Sequence, residues 1–309
     1  MLDLKNDITK DDMIIVGVSG GADSICLLHM LYRSGAKIIA VHVNHNLRGE
    51  ESDRDEVFVR RFCENLDVLC VVRSIFIEKN KHTKHTTEEA ARNMRYKVFE
   101  EIRNKYNANY VATAHNKNDN AETMLINFFR GAGLKGLKGI PERRDFIIRP
   151  LLNFSRKEIE DYIAKNDLQY VIDSTNASDI YTRNKIRKIV NEYNLLKPMA
   201  TAREILTEED NFLEQETLKY LGECVSNNEL NVKKFNTFHI AIKRRIAKKL
   251  LDNWSSQGFS AIHVNVFVEL ATKPRGKKLD LPNGLQLLRK YDKIVMMEKI
   301  KYSHITEKQ

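Results

Sequence analysis

The first 190 residues alternate between short β-branched apolar runs and longer stretches with helical spacing. Residues 13–18, MIIVGV, form one such run, and ADSICLLHMLYR behind it carries apolar residues three and four apart, so a strand followed by a helix is predicted. The alternation continues through a run from Lys37 to Val43, a helical stretch from about Asp53 to Asn65, a run from Val68 to Phe76, a long helix from Glu88 to Tyr106, a strand from Tyr110 to Ala114 and a helix from Ala121 to Arg130. Repeated βα units predict an α/β, doubly wound, mainly parallel sheet between helix layers. Ligands of such sheets bind at the carboxyl ends of the strands. The stripe Ile25, Leu27, Leu28 and Leu31 and the pair Phe128-Phe129 are expected in the core.

The run DFIIRP, Asp145 to Pro150, predicts one more short strand, and Ser155 with Glu158 three residues on predicts a helix opened by a capping box. Beyond Pro198 the chain reads as helical and charged to about Val225, where a Ser-Asn-Asn turn leads into a basic region. The expected organisation is a catalytic domain over residues 1–215 and a smaller, basic, helix-rich domain over residues 216–309, with no internal repeat or low-complexity tract.

An apolar content of 42% over 309 residues suits a chain that buries a real core. The N-terminal stretch MLDLKNDITKDD has no apolar run of signal length, and no segment approaches the roughly 18 apolar residues of a membrane helix, so a cytoplasmic protein without a membrane partner is expected. Cys26, Cys63, Cys70 and Cys224 match neither a C-x-x-C pair nor a disulfide framework and read as buried small hydrophobes. Charge changes the picture more. Residues 231–309 hold 17 Lys+Arg against 6 Asp+Glu, a net of +11, which leaves −2 for the rest of a chain whose total is +9. Lys243-Arg244-Arg245, Lys248-Lys249 and the stretch Lys273 to Lys278 offer phosphate contacts to a polyanion, or form a merely solvated basic surface.

The sharpest local signal is Ser19-Gly20-Gly21-Ala22-Asp23-Ser24, between a predicted strand and a predicted helix. Two glycines let the backbone approach an anion, while the first helical N–H groups and the Ser19 and Ser24 hydroxyls offer donors to phosphate oxygens. An Asp beside phosphate is electrostatically costly unless it has a task, and Asp23 could hold a magnesium ion that bridges the phosphates. The loop lacks the Lys of G-x-x-x-x-G-K-[ST] and is not G-x-G-x-x-G.

S-G-G-x-D-S resembles the PP-loop signature of the ATP pyrophosphatases, which cleave ATP between the α and β phosphates and leave AMP on a carbonyl oxygen. Further stretches resemble one branch, the tRNA(Ile)-lysidine synthetases: His42-Val43-Asn44-His45-Asn46-Leu47-Arg48, Glu88 to Tyr96 (EEAARNMRY), Ala112-Thr113-Ala114-His115 with Asp119 to Thr123, Arg130-Gly131-Ala132-Gly133, Arg149-Pro150-Leu151-Leu152, and Asp173-Ser174-Thr175-Asn176 with Tyr181 to Arg187. The match runs in family order over roughly residues 13–190. It departs at Asn118, where many members carry a second Asp, which leaves Asp119 and Glu122 as the acids of that stretch. Many members also carry a further C-terminal domain, of which this chain is expected to hold only part, and a homodimer would suit a short member.

The resemblance implies ATP and magnesium as cofactors and L-lysine and tRNA(Ile) with a CAU anticodon as partners. The reaction would be adenylation of the wobble cytidine's C2 carbonyl, followed by attack of the lysine ε-amine. Such chemistry needs activation on both sides, because the carbonyl is a poor electrophile and an amine with a pKa near about 10.4 is mostly protonated at neutral pH. The implied ATP site comprises the loop residues with His42, Asn44, Arg95 and Arg183; Arg92, Arg95 and Arg183 would clamp the leaving pyrophosphate. Asp119 and Glu122 would bind the lysine ammonium and accept its proton. Asp23, Arg92 and His115 complete the implied catalytic set, and Arg130, Arg187, Lys243, Arg244, Arg245 and Lys248 would contact tRNA.

Plainer readings stand beside these roles. Asp119 and Glu122 also suit first-turn acids favoured by a helix dipole, His115 suits a satisfied core histidine, Arg92 and Arg95 suit the surface of an amphipathic helix, and Arg183 and Arg187 suit a salt-bridged surface. Among functions, a PP-loop tRNA thiolation enzyme also adenylates a base carbonyl, but such enzymes need reactive or cluster-binding cysteines at spacings not seen here. A small-molecule amidotransferase-type ligase would need no basic appendage, and a non-enzymatic binding module with a decayed loop would not keep Ser19, Gly20, Gly21, Asp23 and Ser24 together.

Overall fold

The computed structural model describes residues 9–46, 49–75, 87–172, 181–227, 229–254 and 258–298. Leu47, Arg48, Phe76 and the motif Asp173 to Asn176 lie outside them. The chain forms two compact units, Met1–Leu206 and Thr207–Gln309.

In the first unit, β1 (Met13–Gly17), β2 (Lys37–Asn44), β3 (Cys70–Ser74), β4 (Tyr110–Ala112), β5 (Arg143–Arg144) and β6 (Ile147–Ile148) make a six-stranded sheet in the order β3-β2-β1-β4-β6-β5. All its pairings are parallel except β5–β6. Alternation along β1 explains why both faces are covered. Ile14 and Val16 join the core formed with α1 (Ala22–Arg33), α2 (Glu50–Asn65) and α6 (Arg156–Lys165), whereas Ile15 joins the core of α3 (Thr87–Lys105) on the opposite face. Gly17 at the end of β1 is needed for that closure, because a Cβ there would lie 2.7 Å from the Phe99 ring.

The expected α/β sheet is present, and α1 has the predicted bounds. The predicted capping box also forms: Ser155 and Glu158 exchange side-chain-to-backbone hydrogen bonds at the start of α6. The strand expected over Asp145–Pro150 is only β6, because Asp145 takes φ 55° in the turn that returns β5 against it. The helix expected from Ala121 begins four residues earlier, as α4 (Lys117–Phe129), because Asn116 and Asp119 close a capping box there.

Ile25, Leu27, Leu28 and Leu31 are fully buried as expected, but Phe128 and Phe129 are not core residues. Each is 65% exposed. The cover on α4, from α7 (Tyr181–Glu192) and the start of α8 (Leu196–Cys224), packs over Ala121, Leu125 and Ile126 and leaves the last turn bare.

The second unit pairs helices with a five-stranded antiparallel sheet that composition did not predict. Strands β7 (Val225–Ser226), β8 (Glu229–Asn231), β9 (Lys278–Asp280), β10 (Leu285–Lys290) and β11 (Lys293–Glu298) take the order β7-β8-β11-β10-β9. Phe235 of α9 (Val232–Thr237), Leu251 of α10 (Ile240–Trp254) and Phe267 of α11 (Ala261–Leu270) share its core with Leu287 and Ile294. The division between the units falls within α8, nine residues before the expected 215/216 boundary, at a point where no Gly, Pro or change of composition marks it.

Candidate active site

β1 lies between β2 and β4, so the chain's direction of travel across the sheet reverses there, and the loops after β1 and β4 flank the crevice that such a reversal opens. The loop after β1 is 19–24. Gly20 takes φ +97°, a conformation that penalises any Cβ, and its carbonyl accepts from Val171 N at 2.9 Å. The Ser24 hydroxyl does not point outward as a phosphate donor. It is buried, accepts from the N–H groups of Ser19 (3.2 Å) and Gly20 (3.1 Å), and donates to the Gly21 carbonyl at 2.9 Å. Ser24 therefore holds the loop closed, and the N–H groups of Ala22 and Asp23 stand in the first helical turn, where backbone donors have no intrahelical acceptor.

The loop after β4 delivers the acids. Asn116 caps α4: its side-chain oxygen accepts from Asp119 N at 3.0 Å, while Asp119 Oδ2 accepts from Asn116 N at 3.0 Å. The Asn116 amide also donates to Asp23 Oδ1 at 3.2 Å, so one buried asparagine ties the phosphate loop to the acid-bearing helix. Burial pushes the Asp23 and Asp119 carboxyls above the usual range, against the opposing pull of Arg156 and Asn116 on Asp23 and of the Asn116 N–H and Arg183 on Asp119.

One turn along α4, Glu122 is only 2% exposed and accepts from two guanidinium groups, Arg183 Nε at 2.9 Å and Arg187 Nε at 2.7 Å; Arg183 also lies 3.6 Å from Asp119. The two arginines are thus salt-bridged, though to a buried acid of the site rather than to the surface. Arg183 stands at the acid pair, with Arg187, expected to reach tRNA, as its companion. Contact with Glu122 raises the Arg187 pKa further.

His115 feels the charge of Arg183 and of a second set of cations. Burial first, and then the charges of Arg149, Arg92, Arg95 and Arg183, push its imidazole down to about 3, so it is neutral at pH 7, with Nδ1 at 3.0 Å from the Thr113 hydroxyl. Arg92 is exposed and stacks over Tyr96 at 5.4 Å. Arg149, missed as an individual site residue, is buried and donates to the Pro141 carbonyl at 2.6 Å. Asn116 was missed as well, although the N-x-x-D capping pattern before α4 was available to find it.

His42 and Asn44 are both buried at the end of β2. His42 Nδ1 donates to the Val18 carbonyl at 2.9 Å, which directs the lone pair to Nε2, and burial lowers its pKa. Asn44 faces Asp53 and Glu56 through its amide and accepts from Asn46 N, so its polar atoms brace α2 against the sheet. Asn118, the departure from the family pattern, accepts from Arg156 N at 2.9 Å and so supports the start of α6.

The basic residues of α10 differ in exposure and pairing. Arg245 pairs with Asp210 and Glu214, Lys248 with Asp252, and Lys249 with Glu214. Lys243 donates to the Asn236 carbonyl, and Arg244 is exposed beside Asn265. Arg130 of the first unit is exposed at the end of α4.

The model of the PP-loop domain family matches residues 2–193. A tRNA(Ile)-lysidine synthase of Caldanaerobacter subterraneus is 37% identical over 97% of this chain and 69% of its own length. The chain belongs to the tRNA(Ile)-lysidine synthase family. The family's synthases of Clostridium acetobutylicum (35% identity, 99% of this chain, 70% of the relative) and Bacillus subtilis (36%, 93% and 66%) agree, and the chain spans about two thirds of the length of these curated relatives. Among solved structures, the U34-tRNA thiolase NcsA of Methanococcus maripaludis, with its [4Fe-4S] cluster, aligns with a TM-score of 0.55 at 19% identity, covering 69% of this chain and 75% of that one, which establishes a shared fold alone. In this member of the synthase family Cys26 and Cys63 are fully buried, and burial pushes the Cys26 thiol up to about 12, an environment that suits packing rather than reactivity. Among the described residues no helix is long and apolar enough to cross a membrane.

Proposed function

We propose that the chain joins L-lysine to the wobble cytidine of tRNA(Ile) bearing a CAU anticodon, as an ATP-dependent carbon–nitrogen ligase. The C2 carbonyl oxygen attacks the α-phosphate and pyrophosphate leaves; the lysine ε-amine then attacks C2, and AMP departs with the former carbonyl oxygen. The observation that carries this reading is the Asp23–Asn116–Asp119 link, which sets the acid-bearing start of α4 one asparagine away from the phosphate loop.

Ala22 and Asp23 N–H groups would receive phosphate oxygens. Asp23, whose Oδ1 accepts from the Asn116 amide, would hold a magnesium ion, which would supply positive charge to offset that developing on pyrophosphate. Asp119, with its raised pKa, is a stronger base than an exposed carboxylate and would take the ammonium proton. An ammonium entering beside Glu122 would replace one of its two guanidinium partners, and the released Arg183 would turn to the phosphates with Arg92 and Arg95. Neutral His115 can exchange a hydrogen bond at the reacting base without adding a positive charge to the arginines around it.

The test is incorporation of labelled lysine into unmodified tRNA(Ile) with a CAU anticodon, with and without ATP, for the natural chain and Asp119→Asn. ATP-dependent labelling of that tRNA but not of tRNA(Met), lost in the variant, is expected. Release of AMP and pyrophosphate without lysine transfer would keep adenylation and overturn the second substrate, and inert ATP under all conditions would overturn the enzyme assignment.

A further inference from the structure

The last turn of α4 exposes two adjacent phenylalanine rings, Phe128 and Phe129, in edge-to-face contact with centroids 6.0 Å apart. Their exposure is not fraying. Ala132 N donates to the Asn127 carbonyl and Gly131 N to the Phe128 carbonyl, both at 2.9 Å, with Gly131 at φ +69°, which is a complete Schellman cap. The Asn127 amide further ties this turn to the Gly136 carbonyl at 2.8 Å.

Two observations say what would cover the rings. From Thr123 to Pro141 the sequence holds Arg130, Lys135 and Lys138 and no Asp or Glu, and Arg130 and Lys135 are exposed, so this stretch of chain is aromatic and carries only positive charges. Such a surface fits bases stacked beside a phosphate backbone better than it fits a second copy of itself, whose cations would oppose its own. The position matters too. Phe129 is seven residues after Glu122, which returns it to within about 20° of the same helix face and about 10 Å further along the axis. That is roughly three stacked nucleotides at ~3.4 Å each.

We propose that Phe128 and Phe129 form a stacking platform for unpaired anticodon-loop bases next to the reacting cytidine, with Arg130 and Lys135 on the adjoining phosphates. The assignment rests on the ligase reading above for the identity of the RNA, while the platform itself is tested by binding alone.

A CAU anticodon stem-loop with 2-aminopurine in place of the anticodon adenine would be titrated with the full chain, with Phe128→Ala, Phe129→Ala and their double variant, and with Phe129→Trp. Thermal melting should be nearly unchanged, because the rings are exposed. The expected result is quenching of 2-aminopurine by the natural chain, affinity reduced roughly tenfold per lost ring, a matching rise in KM for tRNA with little change in kcat, and near-normal binding by Phe129→Trp. A double variant that binds within twofold of the natural chain overturns the platform, as does failure of the natural chain to bind the stem-loop. Light scattering that shows a dimer become a monomer in the double variant, with RNA affinity unchanged, overturns it in favour of a contact between copies. Ring-dependent RNA binding without any lysine transfer would sink the ligase reading and leave the platform standing.

Discussion

The charged groups of the two units are organised in opposite ways. In the first unit the acids and cations converge: Glu122 is 2% exposed and takes two guanidinium groups, and His115 is neutral among four arginines. In the second unit the cations of α10 lie along a helix and, apart from Arg245 on the buried Asp210, pair with more exposed acids, as Lys248 does with Asp252 one turn away. The basic stretch of the second unit, residues 231–309, carries a net +11, yet the first unit supplies the chain's expensive electrostatics. Net charge tells where a polyanion would be attracted; burial tells where charge is held for a task.

Breaking the convergent set should have the largest effects. Glu122→Gln is expected to lower lysine transfer by about 10²- to 10⁴-fold, read as the ratio of labelled tRNA formed under saturating ATP, while ATP binding measured by calorimetry changes little. Equal loss of both would merge the acid pair with the phosphate site and remove the distinction drawn here.

Arg187→Ala leaves Glu122 with Arg183 alone. The cost of breaking a buried pair is reduced here because the guanidinium is 38% exposed, so urea denaturation should show a loss of about 1–2 kcal/mol.

The histidine makes a pH prediction. Its folded pKa of about 3 lies below the ordinary 6.5, so the unfolded chain binds this proton first, and the stability associated with neutral His115 is complete above about pH 6.5 and declines as pH falls toward 3. Melting curves for His115→Gln should lose stability more slowly than the natural chain across that window. The raised carboxyls of Asp23 and Asp119 act with the opposite sign, which is why the comparison is made between variant and natural chain and not on the absolute slope.

Changes in the second unit should be smaller and of another kind. Arg244→Ala is expected to weaken tRNA binding only a few-fold and to reduce the salt dependence of binding by about one ion. Lys248→Ala should shift stability by less than about 0.5 kcal/mol, since its partner is an exposed neighbour on the same helix.

Much of this molecule follows from its sequence because the relevant forces are local. The 3.6-residue spacing of ADSICLLHMLYR sets α1, Ser155 and Glu158 set the start of α6, and Ser19 to Ser24 set a tight phosphate-facing loop, all through contacts a few residues apart. Asp119 and Glu122 were legible as a pair by spacing, and the lysine-handling role proposed for them came from family resemblance. Tertiary structure decided what each of them faces. Glu122 meets Arg183 and Arg187 across 61 and 65 residues only because α7 packs on α4, and the same packing stops short of Phe128 and Phe129, so two residues with every local mark of a core lie in water. The pairing of β11 with β8 likewise joins segments some sixty residues apart, and no local pattern announces the sheet they complete. Periodicity and capping act within a turn or two of chain. The partner of a charge and the cover over an apolar side chain depend on which distant element arrives.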